Sequence, residues 1–188
     1  MIVIIGASSQ SYTLENREDT ALLLIDIQDF YFPGGRSELV APEAASLNAQ
    51  KLLLEFRENK LLIVHVRHNS QQDAEIHSNV RPVEGEKIVS KNHVNCFKGT
   101  DLLDYLRDNE VKKLVICGMM THMCVEAAVR AASDYDFEIT LIHDACATRA
   151  LKFGDTEVSA ADVHSSTLSS LDRYYARVAD TDTFLKDF

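Results

Sequence analysis

Short apolar runs alternate with amphipathic stretches along most of this chain. Ala21-Leu-Leu-Leu-Ile-Asp26, Leu61–Val66, Lys113–Cys117 and Glu138–His143 are strand-length and mostly apolar, the pattern of strands buried on both faces. Lys87-Ile-Val-Ser90 reads as a short or edge strand and Ala176-Arg-Val-Ala179 as a last one. Between them, 44–59 carries leucines at 47, 52, 53 and 54 plus Phe56, a helix covering one face. A second helix follows a Thr100 cap, with Leu102, Leu103 and Leu106 on its apolar side. Further helices are predicted over 121–134 and 155–171, with a small one near the terminus. Pro33-Gly34-Gly35 breaks the pattern after the first strand, and the polar stretch 67–86 is long enough to be a functional loop.

This alternation, without repeats or linkers, predicts a single-domain, Rossmann-like three-layer αβα sandwich around a mostly parallel sheet of about six strands. Residues 1–20 read as an N-terminal arm or extension and 21–188 as the domain. Ligands of such sheets bind beyond the carboxyl ends of the strands. The residues to examine are therefore Asp26, His65 to His68, Gly118 to Cys124, and His143-Asp144.

Composition narrows the functional classes. The 188 residues are 46% hydrophobic and 26% charged, a globular balance, and the formal net charge is -10. An acidic chain without a Lys/Arg cluster is a poor partner for phosphate backbones or anionic lipid, so neither nucleic acid nor membrane is expected. The four cysteines form no Cys-x-x-Cys pair, which argues against a structural zinc site and fits a reducing compartment. The opening run from Met1 to Gln10 is too short for a membrane helix or a complete signal peptide. Its small residues Gly6-Ala7-Ser8 also fit the tail of a truncated secretion signal; a loose arm and a cytoplasmic protein are the favoured expectation.

Three side chains stand out chemically. Cys124 follows a strand by a short turn and falls in the first turn of the next helix, where unpaired N–H groups favour a thiolate and could hold an oxyanion. The competing reading is a small packing residue, the role assigned to Cys117 and Cys146. Asp26 ends a buried strand, a costly place for a carboxylate unless it is paired, and suits a general base; the alternative is a loop cap. Lys91, at the end of a short strand, is placed either to hold a thiolate and a carboxylate together or simply to be solvated. Glu126 and Arg130 have the spacing of a surface helix pair, and His164 reads as a surface or interface residue.

In order along the chain, these residues resemble the motifs of isochorismatase-like cysteine hydrolases. Asp26-Ile-Gln-Asp-Phe-Tyr-Phe-Pro-Gly-Gly35 is similar to the family's opening motif. Ile88-Val-Ser-Lys91 is similar to its lysine segment, Gly118-Met-Met-Thr-His-Met-Cys-Val125 to its nucleophile segment, and Asp144-Ala-Cys-Ala147 to the segment after the next strand. The resemblance implies that Asp26 is the base, Lys91 supports charge and Cys124 attacks. It implies a cis peptide at Met119–Met120 that aims the N–H groups of Met120 and Cys124 into an oxyanion hole. The implied activity is hydrolysis of a C–N bond in a small amide, ureide or carbamoyl compound through an acyl-enzyme.

Phe30, Tyr31, His68 and His122 are candidate substrate contacts, as is Arg67 beside His68. Nicotinamidases of the family bind metal through an Asp-x-His segment, which is missing here, so no metal or other cofactor is expected. His68 and His77 remain the residues of an alternative metal-dependent nicotinamidase reading. A non-catalytic ligand-binding member of the fold is the other alternative. A small-molecule substrate and a homo-oligomer are the expected partners.

Overall fold

The computed structural model describes residues 17–70, 72 and 74–188. The expected N-terminal arm lies outside the described residues apart from its last few positions, which lead into the first strand. That strand, β1 (Thr20–Ile25), is buried along its whole length and forms the middle of the sheet. It is joined by β2 (Leu62–His68), β3 (Lys87–Lys91), β4 (Lys113–Met119), β5 (Glu138–Ala147) and β8 (Arg177–Ala179) in the order β3-β2-β1-β4-β5-β8. All five pairings are parallel, as the apolar runs predict.

The chain moves from β1 outward through β2 to β3, then returns to the other side of β1 with β4. Crossovers running in opposite directions with one handedness place their helices on opposite faces. Thus α1 (Pro42–Glu58) packs against α5 (Thr181–Asp187) on one face, while α3 (Glu126–Asp134) packs against α4 (Ala160–Leu171) on the other. The helix α2 (Leu102–Asp108) returns the chain from β3 to β4. This is the expected three-layer sandwich, and it puts the topological switch between the carboxyl ends of β1 and β4. No described helix is long and apolar enough to cross a membrane.

Several boundaries differ from the sequence reading. The first residues of the helix predicted over 155–171 are instead β7 (Thr156–Val158), which pairs with β6 (Leu151–Phe153) in a hairpin turning at Gly154. The helix starts only after Ser159, whose side chain accepts from Asp162 N. Asp101 holds the N-cap position of α2 without a side-chain cap bond; the Thr100 hydroxyl one residue earlier accepts from Leu102 N at 3.4 Å and donates to Cys96 O at 2.6 Å. Strand β5 runs four residues past His143, so Asp144 and Cys146 lie inside it. Asp144 therefore faces away from any cap at the strand end. Its Oδ1 accepts from Thr181 N and Oγ1, and its Oδ2 from Asn48 Nδ2, tying the start of α5 to α1.

Candidate active site

The switch point sets the positions of the reactive groups. Asp26 is the residue immediately after β1, in a left-handed conformation (φ 48°), with its N–H donating to Val66 O. Its carboxylate is fully buried. Lys91 is the last residue of β3 and is also buried, although the sequence left solvation open. Cys124 lies beyond β4 in a single π-helical turn, Thr121–Val125, that leads into α3. Gly118 makes this approach feasible. It has φ 134°, and a Cβ there would collide with the carbonyl of Ile25, so only glycine lets β4 lie this close to β1. The peptide Met119–Met120 that follows is cis, as the family resemblance implies.

Lys91 joins the other two. Its Nζ lies 2.7 Å from Asp26 Oδ2 and donates to Cys124 Sγ at 3.3 Å. A third contact, at 3.3 Å, goes to His68 Nδ1. An ammonium only donates, so its contacts with Cys124 and His68 are made as donor, beside the ion pair with Asp26. His68 must then accept at Nδ1 and carry its proton on Nε2. Burial, followed by the Lys91 charge, lowers the His68 pKa and keeps the ring neutral, in agreement with that tautomer.

The electrostatics correct one expectation. Cys124 is not a resting thiolate: burial and then the Asp26 charge push its pKa up to about 12, with only Lys91 opposing. The N–H groups of the helix start do not overcome a carboxylate within hydrogen-bonding reach of the thiol. Burial raises the Asp26 pKa above the usual carboxylate value, against the pull of Lys91. Burial works against the Lys91 ammonium too, but Asp26 and Cys124 outweigh it and the pKa rises. The cluster sets the Lys91 ammonium against a buried, hard-to-ionise carboxyl group beside a thiol. Such a cluster can pass a proton from sulfur to carboxylate while the ammonium stays charged.

The sequence and the fold have counterparts in known proteins. The Isochorismatase domain family model matches residues 20–182. The chain belongs to the isochorismatase family. The uncharacterized family protein YddQ of Bacillus subtilis is 42% identical over 178 residues, covering 89% of this chain and 99% of that one. A putative isochorismatase hydrolase from Oleispira antarctica has the same fold, with a TM-score of 0.87 and 42% identity, covering 96% of this chain and all of that one. Streptothricin hydrolase of Streptomyces noursei is 32% identical over 139 residues, covering 68% of this chain and 54% of its own. This isochorismatase-family chain is accordingly a hydrolase.

The remaining sequence candidates divide. Tyr31 is buried, and the charges of Cys124 and Asp26 reach it, which places it beside the reactive cluster. Phe30 packs edge-on against it, ring centroids 4.3 Å apart, and carries the Arg36 guanidinium over its own face. His122 Nδ1 bonds Thr148 Oγ1 at 2.6 Å, and His122 and Tyr31 both sense Arg149. His77 does not meet His68: its ring stacks on Phe32 at 3.6 Å and its Nδ1 accepts from Asn79 N. Among the described residues no three His, Cys, Asp or Glu side chains form a metal-holding group. Arg67, adjacent to His68 on β2, takes the opposite face, where it bonds Ser90 Oγ. Cys117 and Cys146 are buried packing residues, as read.

Two contributors were missed by spacing arguments. Gln28 is fully buried; its Oε1 accepts from His68 N, and its Nε2 donates to His68 O and Ala74 O, so it fixes where His68 sits. Its signal was a second polar residue, two positions after Asp26, on an otherwise apolar segment. His164, read as a surface residue, is hydrogen-bonded through Nδ1 to Thr121 Oγ1 at 2.9 Å, and Thr121 Oγ1 also reaches Ala147 O. That contact pins the turn bearing Cys124 to β5 and α4, and nothing local in the sequence announced it.

Proposed function

We propose that this chain hydrolyses the C–N bond of a small amide, ureide or carbamoyl compound through an acyl-enzyme on Cys124. The observation that carries the reading is the buried convergence of Asp26 and Cys124 on the Lys91 ammonium. With the thiol pKa pushed up to about 12 by burial and then the Asp26 charge, little free thiolate exists at neutral pH. Proton transfer therefore accompanies attack: Asp26 takes the thiol proton as Sγ bonds the carbonyl carbon.

The oxygen becomes negative and is received by the N–H groups of Met120 and Cys124. Collapse breaks the C–N bond, and Asp26 returns its proton to the leaving nitrogen. Water then adds to the thioester, giving one proton to Asp26. Expulsion of the sulfur and reprotonation by Asp26 restore the thiol and release the carboxylic or carbamic acid. Lys91 stays charged throughout and balances Asp26 and the sulfur in turn. Streptothricin hydrolase, a relative, is a hydrolase by name, which supports the reaction class.

The test follows ammonia or amine release from a panel of small amides and ureides, for the native protein and Cys124→Ala, with and without chelator. Intact mass of the protein during turnover looks for the acyl adduct. Chelator-resistant turnover lost in the variant, with an adduct mapped to Cys124, is expected. Turnover retained by Cys124→Ala would overturn the nucleophile. Absence of turnover, together with Cys124 reacting no faster with electrophiles than Cys117 or Cys146, would favour a non-catalytic binding protein.

A further inference from the structure

Beside the reactive cluster lies a cavity of about 540 Å³ lined by Arg36, His68, Asn69, Ser70 and Gln72. Among the described residues none of this lining is acidic, although the chain as a whole carries a net charge of -10. Among the described residues Arg36 meets no carboxylate. Its guanidinium sits 4.9 Å from the Phe30 ring centroid, and its Nη2 donates to Ser70 Oγ at 2.7 Å. Stacking on an aromatic face and one neutral hydrogen bond hold the fork in place while leaving most of its donors for another acceptor. His68 supplies a second donor, because Lys91 occupies Nδ1 and the proton is left on Nε2. Only the Lys91 ammonium separates this histidine from Cys124 Sγ. The Arg36 charge is felt by both His68 and Tyr31. Arg67, the neighbour of His68 in sequence, belongs to a different cavity on the other side of β2, with Asp29 and Glu75 in its walls.

We propose that Arg36, with the Nε2–H of His68, is the specificity-determining receptor for a carboxylate on the substrate, so that the compound hydrolysed is an amide, ureide or carbamoyl derivative of a small carboxylic acid. This rests on the cysteine-hydrolase reading for the reaction, but the receptor itself does not need turnover to be seen. A planar guanidinium pairs with a carboxylate through two parallel hydrogen bonds. The cavity has room for a short acid, and His68 in its wall is one Lys91 contact away from Cys124. In an acidic protein, a guanidinium that meets no carboxylate among the described residues is a local exception to the field that would otherwise repel an anion.

The test uses two thiol reagents of matched reactivity, 3-maleimidopropionate and N-ethylmaleimide, with the rate at Cys124 read by peptide mass mapping. The quantity is the anionic-to-neutral rate ratio at Cys124, divided by the same ratio for a free small thiol. A normalised ratio of about ten or more is expected in the native protein, the size of one charge-assisted contact. Arg36→Gln brings it close to one, Arg36→Lys retains part of it, and Arg67→Gln, which removes the same charge from the other cavity, leaves it unchanged. A native ratio near one, or a ratio equally reduced by Arg67→Gln, would overturn the receptor. Turnover is compared separately on succinamate and butyramide. Preference in alkylation without hydrolysis of either amide would remove the proposed reaction and leave the receptor standing. Efficient hydrolysis of butyramide with no preference for succinamate would do the reverse.

Discussion

Lys91→Met separates the electrostatics of the cluster from its packing, since methionine fills most of the same volume without the charge. In the native protein Lys91 and Asp26 have no exposed side-chain surface, and their charged atoms are 2.7 Å apart. Removing the ammonium leaves a buried carboxylate with no counter-charge, a change that costs about 3–5 kcal/mol. The penalty depends on pH in a defined direction. Burial already raises the Asp26 pKa above 3.8, and losing Lys91 raises it further. A carboxyl whose folded pKa exceeds its unfolded pKa favours folding at low pH, and that benefit is lost as pH rises through the folded value. The stability deficit of Lys91→Met is therefore small near pH 4 and grows with pH by up to about 1.4 kcal/mol per unit until Asp26 ionises in the folded variant. Urea unfolding followed by far-ultraviolet circular dichroism measures it, since the chain has no tryptophan to report by fluorescence. Adding Asp26→Asn should restore much of the lost stability at pH 8. A deficit independent of pH, or one that Asp26→Asn fails to relieve, would refute the buried ion pair as the cause.

Other outcomes follow from the same geometry. Asp26→Asn should abolish hydrolysis yet lower the pH midpoint for alkylation of Cys124, because the Asp26 charge helps hold that thiol near pKa 12 while Lys91 opposes it; an upward shift would contradict the assignment. Hydrolysis by the native protein should fall on the acid side as Asp26 gains its proton, with an apparent pKa in kcat/KM above the usual carboxylate value. Gly118→Ala should cost at least about 3 kcal/mol in urea unfolding, since it places a Cβ against the Ile25 carbonyl at a positive φ. Gln28→Ala removes three hydrogen bonds and leaves the His68 N–H unsatisfied, for a loss of about 2–3 kcal/mol and a fall in kcat/KM; unchanged stability would show that Gln28 is replaceable by solvent.

The sequence alone determined the architecture. Apolar runs of the length of one strand, alternating with one-faced helices, admit few solutions besides a parallel sheet covered on both sides. That topology in turn puts the polar residues at strand ends next to one another. Asp26 and Cys124 were legible for this reason, each being a reactive side chain just past an apolar strand, whereas the local sequence favoured a solvated Lys91 and only the family motif pointed to its role. The hairpin at 151–158 was not, because Leu-Lys-Phe and Thr-Glu-Val are too short to show a period and merge with the helix that follows.

What tertiary structure alone decided is how the groups act on one another. The thiol's protonation depends first on burial and then on a carboxylate 98 positions away in sequence; local helix-end reasoning predicted a thiolate, and the two together reversed it. His68 gained a defined tautomer only because Lys91 approached it as a donor. Arg67, selected by its place beside His68, was turned to the other face by the alternation of β2, and Arg36 came to the cavity from the loop after β1. Contact order along the chain carries no record of such meetings. Electrostatic fields act through space, and the distances that set them exist only once the sheet has brought β1, β3 and β4 together.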